Sequence, residues 1–332
     1  PLDERLLRYE IVGAIVSHLR NFVKQVFVRF LTGHWRRTKM RRQVRTMFWG
    51  RRDPVHTIRP ARPSDADAVR WLLERAWRTY LRIPLENVLL HLQSGLGWVA
   101  DGGGRLSGCM LAEIQPSSVA LITAAAISDD WRVVSYLDAL LPRLEETVRQ
   151  QGATALAQIG HAPWLTGMLD ERGFVVRDWV VTYEWHYQPV SIQGNLSVTV
   201  RPARQHDLPD LLTLDALIFG PIWHKPIRNF EEALAQAFSF IVAEDDGQII
   251  GYQWCDKSEE HGHLTRLAVR PTWEGKGVGT RLLTEALAAL VNAGTTWITL
   301  NTQESNVRSQ MLYERHGFRL ADQRVAVLWK DL

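Results

Sequence analysis

An internal repeat constrains the fold of this sequence more than any other feature. Five matches occur in the same order along the chain, at shifts of 142 to 144 residues. They are "TIRPAR" (57–62) with "TVRPAR" (199–204), "VADGGGRLSG" (99–108) with "VAEDDGQIIG" (242–251), "ERGF" (171–174) with "RHGF" (315–318), Trp131 with Trp273, and Gly152 with Gly294. A near-constant shift over ordered matches indicates two homologous units. We therefore predict domains at 54–190 and 191–332, behind an N-terminal arm of residues 1–53.

The N-terminal arm carries the basic character of the chain. Residues 1–52 hold 13 Lys and Arg against 3 acidic residues, although the net charge of the whole chain is only +3. Apolar residues recur at helical spacing through 8–31, which predicts a basic amphipathic helix. A mixed basic and aromatic segment follows at 34–45. The arm could therefore contact a membrane surface, RNA or a partner protein, or dock on its own subunit.

The rest of the composition is that of a globular protein with a sizeable core. Two cysteines, Cys109 and Cys255, are too few for a disulfide framework or a cysteine-based metal site, so we predict no metal and a reducing, cytoplasmic location. No run of eighteen uncharged apolar residues occurs, and no membrane-spanning helix is predicted.

Hydrophobic periodicity predicts an α/β fold in which each unit contains a mixed sheet flanked by helices. The second unit shows the order most clearly. Its elements are a strand at 198–202, helical segments at 207–217 and 230–237, a hairpin around "EDDGQ", a strand "HLTRLAVRP", a helix "GTRLLTEALAALVNAG", a strand "WITLNT", a helix that ends at Gly317, and closing strands.

The stretch "WEGKGVGT" (273–280) places three glycines between a strand and a helix. The first amides of a helix have no partner within the helix, and glycines let a ligand approach the backbone closely, so this loop predicts a phosphate or pyrophosphate site. A Walker loop is excluded because GxxxxGK followed by Ser or Thr is absent. A dinucleotide fingerprint would need glycine at 280, where the sequence has Thr280.

Two segments of the second unit resemble the GCN5-related N-acetyltransferase (GNAT) superfamily. The first is the Gly277–Gly279 core after "LAVRP", and the second is "NTQESNVRSQMLYERHGF", with its Asn306, Tyr313 and Gly317. The resemblance covers about 198–332, whereas the first unit shares only the scaffold. It implies acetyl-CoA as a cosubstrate and direct transfer of its acetyl group to a primary amine.

The resemblance also implies roles for individual residues. Backbone groups of Leu267 and Val269 would hold the pantetheine arm and polarise the thioester carbonyl, an oxyanion-hole role. Asn306 would contact the cofactor arm; the alternative is that it only caps its helix. The pyrophosphate would be held by Lys276, Gly277, Val278, Gly279 and Thr280.

Proton transfer is assigned less directly. Tyr313 would protonate the leaving sulfur, because a phenol held nearby can act as a general acid. Ribosomal-protein acetyltransferases of the superfamily carry Glu where this sequence has Asn301, and an amide cannot act as a base. Candidates for the general base, with Glu260 and His263 foremost, are Glu259, Glu260, His261, His263 and His224. A water chain could also serve.

The first unit lacks the corresponding chemistry. At the repeat shift, the core glycines fall on Val134 and Tyr136, and Tyr313 falls on Leu169.

In the second unit, Glu274 departs from the family pattern, which usually has Arg or Gln at this position. A carboxylate near a pyrophosphate is unfavourable. We therefore expect an N-acetyltransferase that is active in its C-terminal half. A non-catalytic acyl-CoA-binding module and an RNA- or ribosome-associated factor that acts through the arm are the alternatives.

Overall fold

The computed structural model describes residues 57–128, 133–160 and 162–332. The predicted amphipathic arm lies outside the described residues, as does Trp131 of the repeat alignment. Among the described residues, no helix combines the length and the hydrophobicity that crossing a membrane would need.

The first repeat contains seven strands and four helices within the described residues. The strands are β1 (Thr57–Pro60), β2 (Arg78–Leu81), β3 (Gly97–Asp101), β4 (Leu106–Ile114), β5 (Val119–Ile127), β6 (Ala155–Ile159) and β7 (Val175–His186). The helices are α1 (Ala66–Arg75), α2 (Val88–Gln93), α3 (Val133–Gln150) and α4 (Pro163–Asp170).

The second repeat follows the same order of elements, except that it has no counterpart of β2. Its strands are β8 (Thr199–Pro202), β9 (Ser239–Asp245), β10 (Gln248–Ser258), β11 (His261–Val269), β12 (Trp297–Gln303) and β13 (Arg319–Asp331). Its helices are α5 (Leu208–Ile218), α6 (Ile227–Gln236), α7 (Val278–Asn292) and α8 (Val307–Arg315). The predicted α/β class is confirmed, and the predicted closing strands form the single long strand β13.

All thirteen strands belong to one mixed sheet, in which the two repeats exchange their last strands. The order is β1-β3-β4-β5-β6-β13-β7-β12-β11-β10-β9-β8, with β2 paired to β5. Thus β13 of the second repeat pairs with β6 of the first, and β7 of the first pairs with β12 of the second. The domain boundary predicted near residue 190 stays a prediction, because both repeats contribute strands to each half of the sheet.

Helices cover both faces of the sheet. In β3 and β4, Ala100 and Met110 pack in one apolar cluster with α3, whereas the adjacent Val99 and Cys109 pack in another with α1. Successive side chains of a strand point to opposite faces, so the two clusters lie on opposite sides. The second repeat is built likewise, with α7 and α8 in one cluster and α5 and α6 in another.

The repeats also share a partly buried ion-pair arrangement near their first strand. Arg201 donates to Asp207 at 2.8 Å and to Glu244 at 2.8 Å, and Asp207 also accepts from the backbone N–H of Arg204. The guanidinium beside Asp207 lowers the pKa of that carboxyl. The first repeat has the same arrangement, formed by Arg59, Asp65 and Asp101. The duplicated network ties the first strand and helix of each unit to the adjacent hairpin.

Candidate active site

A wedge opens in the sheet along β11. This strand pairs with the parallel β12 only from His261 to Leu264, so its residues 265–269 have no partner on that side. On its other side β11 remains paired with β10 as far as Val269. The second half of β11 therefore has one open edge that faces the space between β11 and β12.

The backbone groups of Leu267 and Val269 point into this wedge. The N–H of Arg270 donates to the carbonyl of Ile250 at 2.7 Å, and the same register sets Ala268 opposite Tyr252. In an antiparallel ladder, hydrogen-bonded and non-hydrogen-bonded pairs alternate. Leu267 and Val269 are therefore at the non-bonded positions toward β10, and their N–H and C=O groups face the open edge. This is the arrangement that their predicted role requires.

The glycine loop ends at the wide end of the wedge. Gly277 adopts φ 79° directly before α7, a left-handed conformation that favours glycine. The N–H of Arg281 closes the first helical turn on the carbonyl of Gly277 at 3.0 Å. The amides of Val278, Gly279 and Thr280 precede that bond, so they have no acceptor within the helix. These are the amides on which the predicted anion site depends.

Gly279 shows how closely a ligand could approach the helix. A Cβ built at this position would lie 3.4 Å from a methyl of Leu312 in α8 and 3.6 Å from a methyl of Val269 in β11. The missing side chain thus keeps open the space between α7, α8 and the edge of β11. Lys276 in the same loop lies over the ring of Trp273, with Nζ 4.8 Å from the ring centroid.

Glu274, the unfavourable residue of the loop, has a cationic partner. Its carboxylate pairs with the guanidinium of Arg308 in α8. Because this pair neutralises the carboxylate, Glu274 is compatible with an anionic ligand at the neighbouring amides. The ion pair also links the glycine loop to the helix on the opposite side of the wedge.

A cavity of 690 Å³ opens on the narrow end of the wedge, and both repeats line it. Of the predicted site residues, the cavity brings together His263, Leu267, Asn306 and Tyr313. The second repeat also contributes His224 and Asn301. The first repeat contributes residues that the sequence did not single out, among them Arg82, His91, Glu113 and Thr123.

The remaining predicted residues lie elsewhere. Glu260 is in the exposed turn between β10 and β11, where its carbonyl accepts from Thr296 and Trp297. It does not line the cavity, and the structure does not bring it together with Tyr313. Val269 lies at the other end of the wedge, beside the loop residues Lys276, Gly277, Val278, Gly279 and Thr280.

Asn306 caps helix α8. Its side-chain oxygen accepts from the backbone N–H of Ser309 at 3.2 Å, which is the cap explanation that the sequence left open. The same residue lines the cavity, so the cap fixes a polar side chain at its wall.

Tyr313 is a buried phenol at the wall of the cavity. Its ring packs against Tyr183 and Phe318, with centroids 6.1 Å and 5.9 Å away, and only 6% of the residue is exposed. Burial raises the pKa of Tyr313 to about 12, against a smaller lowering by the side chain of Ser309. The phenol is therefore protonated at neutral pH and can donate a hydrogen bond into the cavity.

His263 is a half-buried imidazole in the same cavity. Its Nδ1 lies 2.9 Å from the hydroxyl of Thr299, which His261 also contacts at 2.9 Å. Burial, His261 and Lys225 lower the pKa of His263, against the opposing charge of Asp256. The ring is therefore neutral at pH 7. When Nδ1–H donates to Thr299, Nε2 carries the lone pair that a base needs.

His224 is held by a backbone contact. Its Nε2 lies 2.7 Å from the carbonyl of Phe219, and since a carbonyl only accepts, Nε2 carries the proton. Its Nδ1 is consequently the nitrogen that is able to accept a proton.

In the first repeat, the edge that corresponds to the wedge is filled. Strand β5 corresponds to β11 at a shift of 142 residues, and it too pairs with the next parallel strand only at its start, from Val119 to Leu121. Here, however, β2 pairs with β5 from Ala124 to Ile127. An extended ligand therefore has no open edge to bind.

The helix after β5 also differs from its counterpart. Val134 and Tyr136 lie inside α3, at positions where the second repeat has its glycines, and Tyr136 is buried. Leu169, at the position of Tyr313, is fully buried in α4. The absence of the glycines and of the tyrosine from the first repeat agrees with the sequence analysis. The repeat pattern gave no sign that β2 would cover the edge of β5.

Comparison with known proteins supports the resemblance in the second repeat. Residues 208–318 match the model of the acetyltransferase (GNAT) family. An uncharacterized N-acetyltransferase from Methanocaldococcus jannaschii is 37% identical over 81 residues, which are 24% of this chain and 52% of that protein. The chain thus spans about half the length of this curated relative.

Solved structures with the same fold include a tandem GNAT protein. A tandem GNAT protein from the clavulanic acid biosynthesis pathway has a TM-score of 0.56 at 14% identity and covers 83% of this chain and 98% of its own. GCN5-related N-acetyltransferases from Sphaerobacter thermophilus and Kribbella flavida have TM-scores of 0.57 and 0.63, at 15% and 13% identity. They cover 83% and 84% of this chain, and 95% and 72% of their own. Residues 208–318 of this chain therefore match the GNAT family of acetyltransferases, and the fold of its two repeats is that of solved GNAT structures.

Proposed function

We propose that this protein is an acetyl-CoA-dependent N-acetyltransferase that acts in its C-terminal half on a primary amine. One observation carries the proposal: the open edge of β11 connects the glycine loop at one end with a cavity at the other. An acyl carrier laid along this edge would have its phosphates at the loop and its thioester at the cavity.

The residues along the wedge fit acetyl-CoA. The amides of Val278, Gly279 and Thr280, with Lys276 nearby, suit a pyrophosphate, because a helix N-terminus favours anions. The outward backbone groups of Leu267 and Val269 suit the amides of pantetheine, which would continue the sheet as an added strand. When bound, acetyl-CoA supplies the acetyl thioester.

Within the cavity, the protein would orient the acceptor and stabilise charge. The N–H of Leu267, directed into the wedge, would donate to the thioester oxygen as negative charge develops there. The amine forms the new C–N bond while the C–S bond breaks, and the phenol of Tyr313 would donate to the departing sulfur.

We propose His263 as the acceptor of the amine proton. Leu267 lies four residues beyond His263 in β11, so the Cα atoms of the two residues are about 13 Å apart at the usual rise of a strand. Across this separation of the Cα atoms, the proton would reach Nε2 through water in the cavity.

The two cysteines are unsuited to form an acyl-enzyme intermediate. Cys109 and Cys255 are both fully buried, and neither lines the cavity. Burial raises the pKa of each thiol to about 12, so neither supplies a thiolate at neutral pH. Direct transfer to the amine is the simpler route.

A screen of primary amines with acetyl-CoA, followed by release of free thiol, tests the proposal. Thiol release that depends on the amine, with the acetylated product identified by mass spectrometry, supports the enzyme. Tight binding of acetyl-CoA with no turnover on any amine would favour the alternative of a non-catalytic acyl-CoA-binding module.

A further inference from the structure

The cavity has more positive than negative charge on its wall. Its charged lining residues are Arg82, Lys225, Arg228 and Arg266 against Glu113 and Glu232. Two of the cations are neutralised: Arg228 pairs with Glu113 at 2.8 Å, and Arg266 donates to the buried Asp215 at 2.9 Å. Among the residues that the structure describes, Arg82 and Lys225 form no ion pair.

Lys225 is held in the cavity by its backbone. Its N–H donates to Asp215 at 3.3 Å, and Arg266 holds the carbonyl of Trp223 at 2.7 Å, so the loop before α6 is anchored to the sheet. Burial, followed by the charges of Arg266 and Arg82, lowers the pKa of Lys225, against smaller opposing effects of the carboxylates of Asp215 and Asp256. The net effect disfavours the charged ammonium group, which an anion in the cavity would stabilise.

Two residues of the first repeat face the same space. The backbone N–H of Arg82 donates to the carbonyl of Thr123 at 2.9 Å, and its guanidinium donates to the carbonyl of Ile159 at 3.1 Å. Thr123 is only 3% exposed and lines the cavity, yet its hydroxyl has no hydrogen-bond partner within the described parts of the chain. Buried hydroxyls are normally satisfied, so this donor indicates a ligand or water.

We propose that Lys225, Arg82 and Thr123 bind an anionic group of the acceptor, a carboxylate or a phosphate, while its amine reaches the thioester. The inference rests on the proposed acetyltransferase function and names the class of its substrate. Lys225 and Arg82 supply charge-assisted hydrogen bonds to the anion, and the hydroxyl of Thr123 adds a further hydrogen bond.

The same charges act against other acceptors. A polyamine or a lysine-rich peptide would bring further positive charge to a wall that already has an excess of it. An amine that carries its own anion compensates this excess. The positive surroundings also lower the pKa of its ammonium group, which favours the neutral, nucleophilic form.

Matched acceptors test the proposal. We would compare kcat/KM for 3-aminopropanoate, 4-aminobutanoate and 6-aminohexanoate with the values for their neutral amides, and include 2-aminoethyl phosphate to separate carboxylate from phosphate. For at least one of the acids, kcat/KM should be higher than for its neutral amide. In Lys225→Met that ratio should fall about 10- to 100-fold, since hydrogen bonds to charged groups contribute on that scale. Thr123→Val, which removes only the hydroxyl, should lower the ratio by about 10-fold or less.

A second measurement separates this inference from the proposed function. Calorimetry in the presence of coenzyme A should show 2-aminoethyl phosphate or 6-aminohexanoate binding to the wild type and weaker binding to Lys225→Met. Lys257→Met removes a lysine outside the cavity and should change neither result. If the anionic amines bind without being acetylated, the enzyme proposal fails and the anion site stands.

Two results would overturn the inference. One is a preference for the neutral amides that Lys225→Met leaves unchanged. The other is an effect of Lys225→Met on acetyl-CoA affinity alone, which would assign this lysine to the acyl donor rather than to the acceptor.

Discussion

Replacing Tyr313 by Phe tests the chemistry of the site most directly. The change removes the hydroxyl and keeps the ring, which packs against Tyr183 and Phe318 in the core. We expect kcat to fall while the affinity for acetyl-CoA stays nearly constant, because the cofactor would be held mainly by backbone amides. Loss of one hydrogen bond should lower the free energy of unfolding by about 1 kcal/mol at most.

The expected size of the loss in kcat follows from the environment of the phenol. Burial raises the pKa of Tyr313 to about 12, whereas an ordinary thiol has a pKa of about 8.5. Complete proton transfer to the thiolate would thus be uphill by about 5 kcal/mol. We therefore expect Tyr313 to donate a hydrogen bond to the developing charge, which contributes about 1.5–3 kcal/mol. The predicted loss in kcat is about 10- to 100-fold.

The assay is single-turnover thiol release at saturating acetyl-CoA and acceptor, so that product release does not mask the chemical step. Tyr183→Phe is the matched control, because this phenol bonds Glu314 at 2.9 Å and does not line the cavity. The control should keep wild-type turnover. Wild-type turnover in Tyr313→Phe would assign the residue a purely structural role, and a loss far above 100-fold would mean that the proton is transferred in the transition state.

Three further predictions concern the cofactor and the proton. Calorimetry should detect one acetyl-CoA site per chain, because β2 fills the edge of β5 in the first repeat; two equivalent sites would contradict this. Gly279→Ala should weaken acetyl-CoA binding about 5- to 100-fold by overfilling the wedge, yet leave the melting temperature equal or higher because Ala is the better helix former. If the variant binds normally, the ligand does not pass this helix. Below the lowered pKa of His263 the ring is protonated and cannot accept a proton. As far as His263 controls it, kcat/KM should therefore not change with pH near pH 7 and should fall at acidic pH, with an apparent pKa below 6.5. His263→Gln should remove that acidic limb, whereas an unchanged profile would exclude His263 as the base.

The sequence predicted most of what is local in this structure. Repeat spacing and hydrophobic period gave the order of elements, and the loop before α7 has the left-handed Gly277 that its composition suggested. Tyr313 and His263 lie in one cavity because His263 is in the splayed strand β11 and Tyr313 is in the helix α8, which packs against it. The order of elements and the conformation of the loop depend on residues close together in the chain.

The features that the sequence did not predict depend on which strand lies beside which. Strands β7 and β13 both alternate in side-chain direction, and alternation identifies a buried face but not a neighbour. The exchange of these strands brings Arg82 and Thr123 of the first repeat, which no sequence motif singled out, to the cavity beside β11. Lys225 stood beside His224 in a segment already considered, but its significance appears only together with Arg82 of the other repeat.

The exchanged strands have a consequence for the biogenesis of the protein. Ile159 of β6 pairs with Val327 of β13, so the sheet of the first half is completed by residues that leave the ribosome only after the rest of the second repeat. Until then the edge of β6 is a row of unpaired backbone groups, a surface on which other chains can add strands. Such distant pairings also slow folding. The protein therefore has to fold as a whole, and a nascent chain that stops before β13 would be exposed to aggregation however well its own repeat is formed.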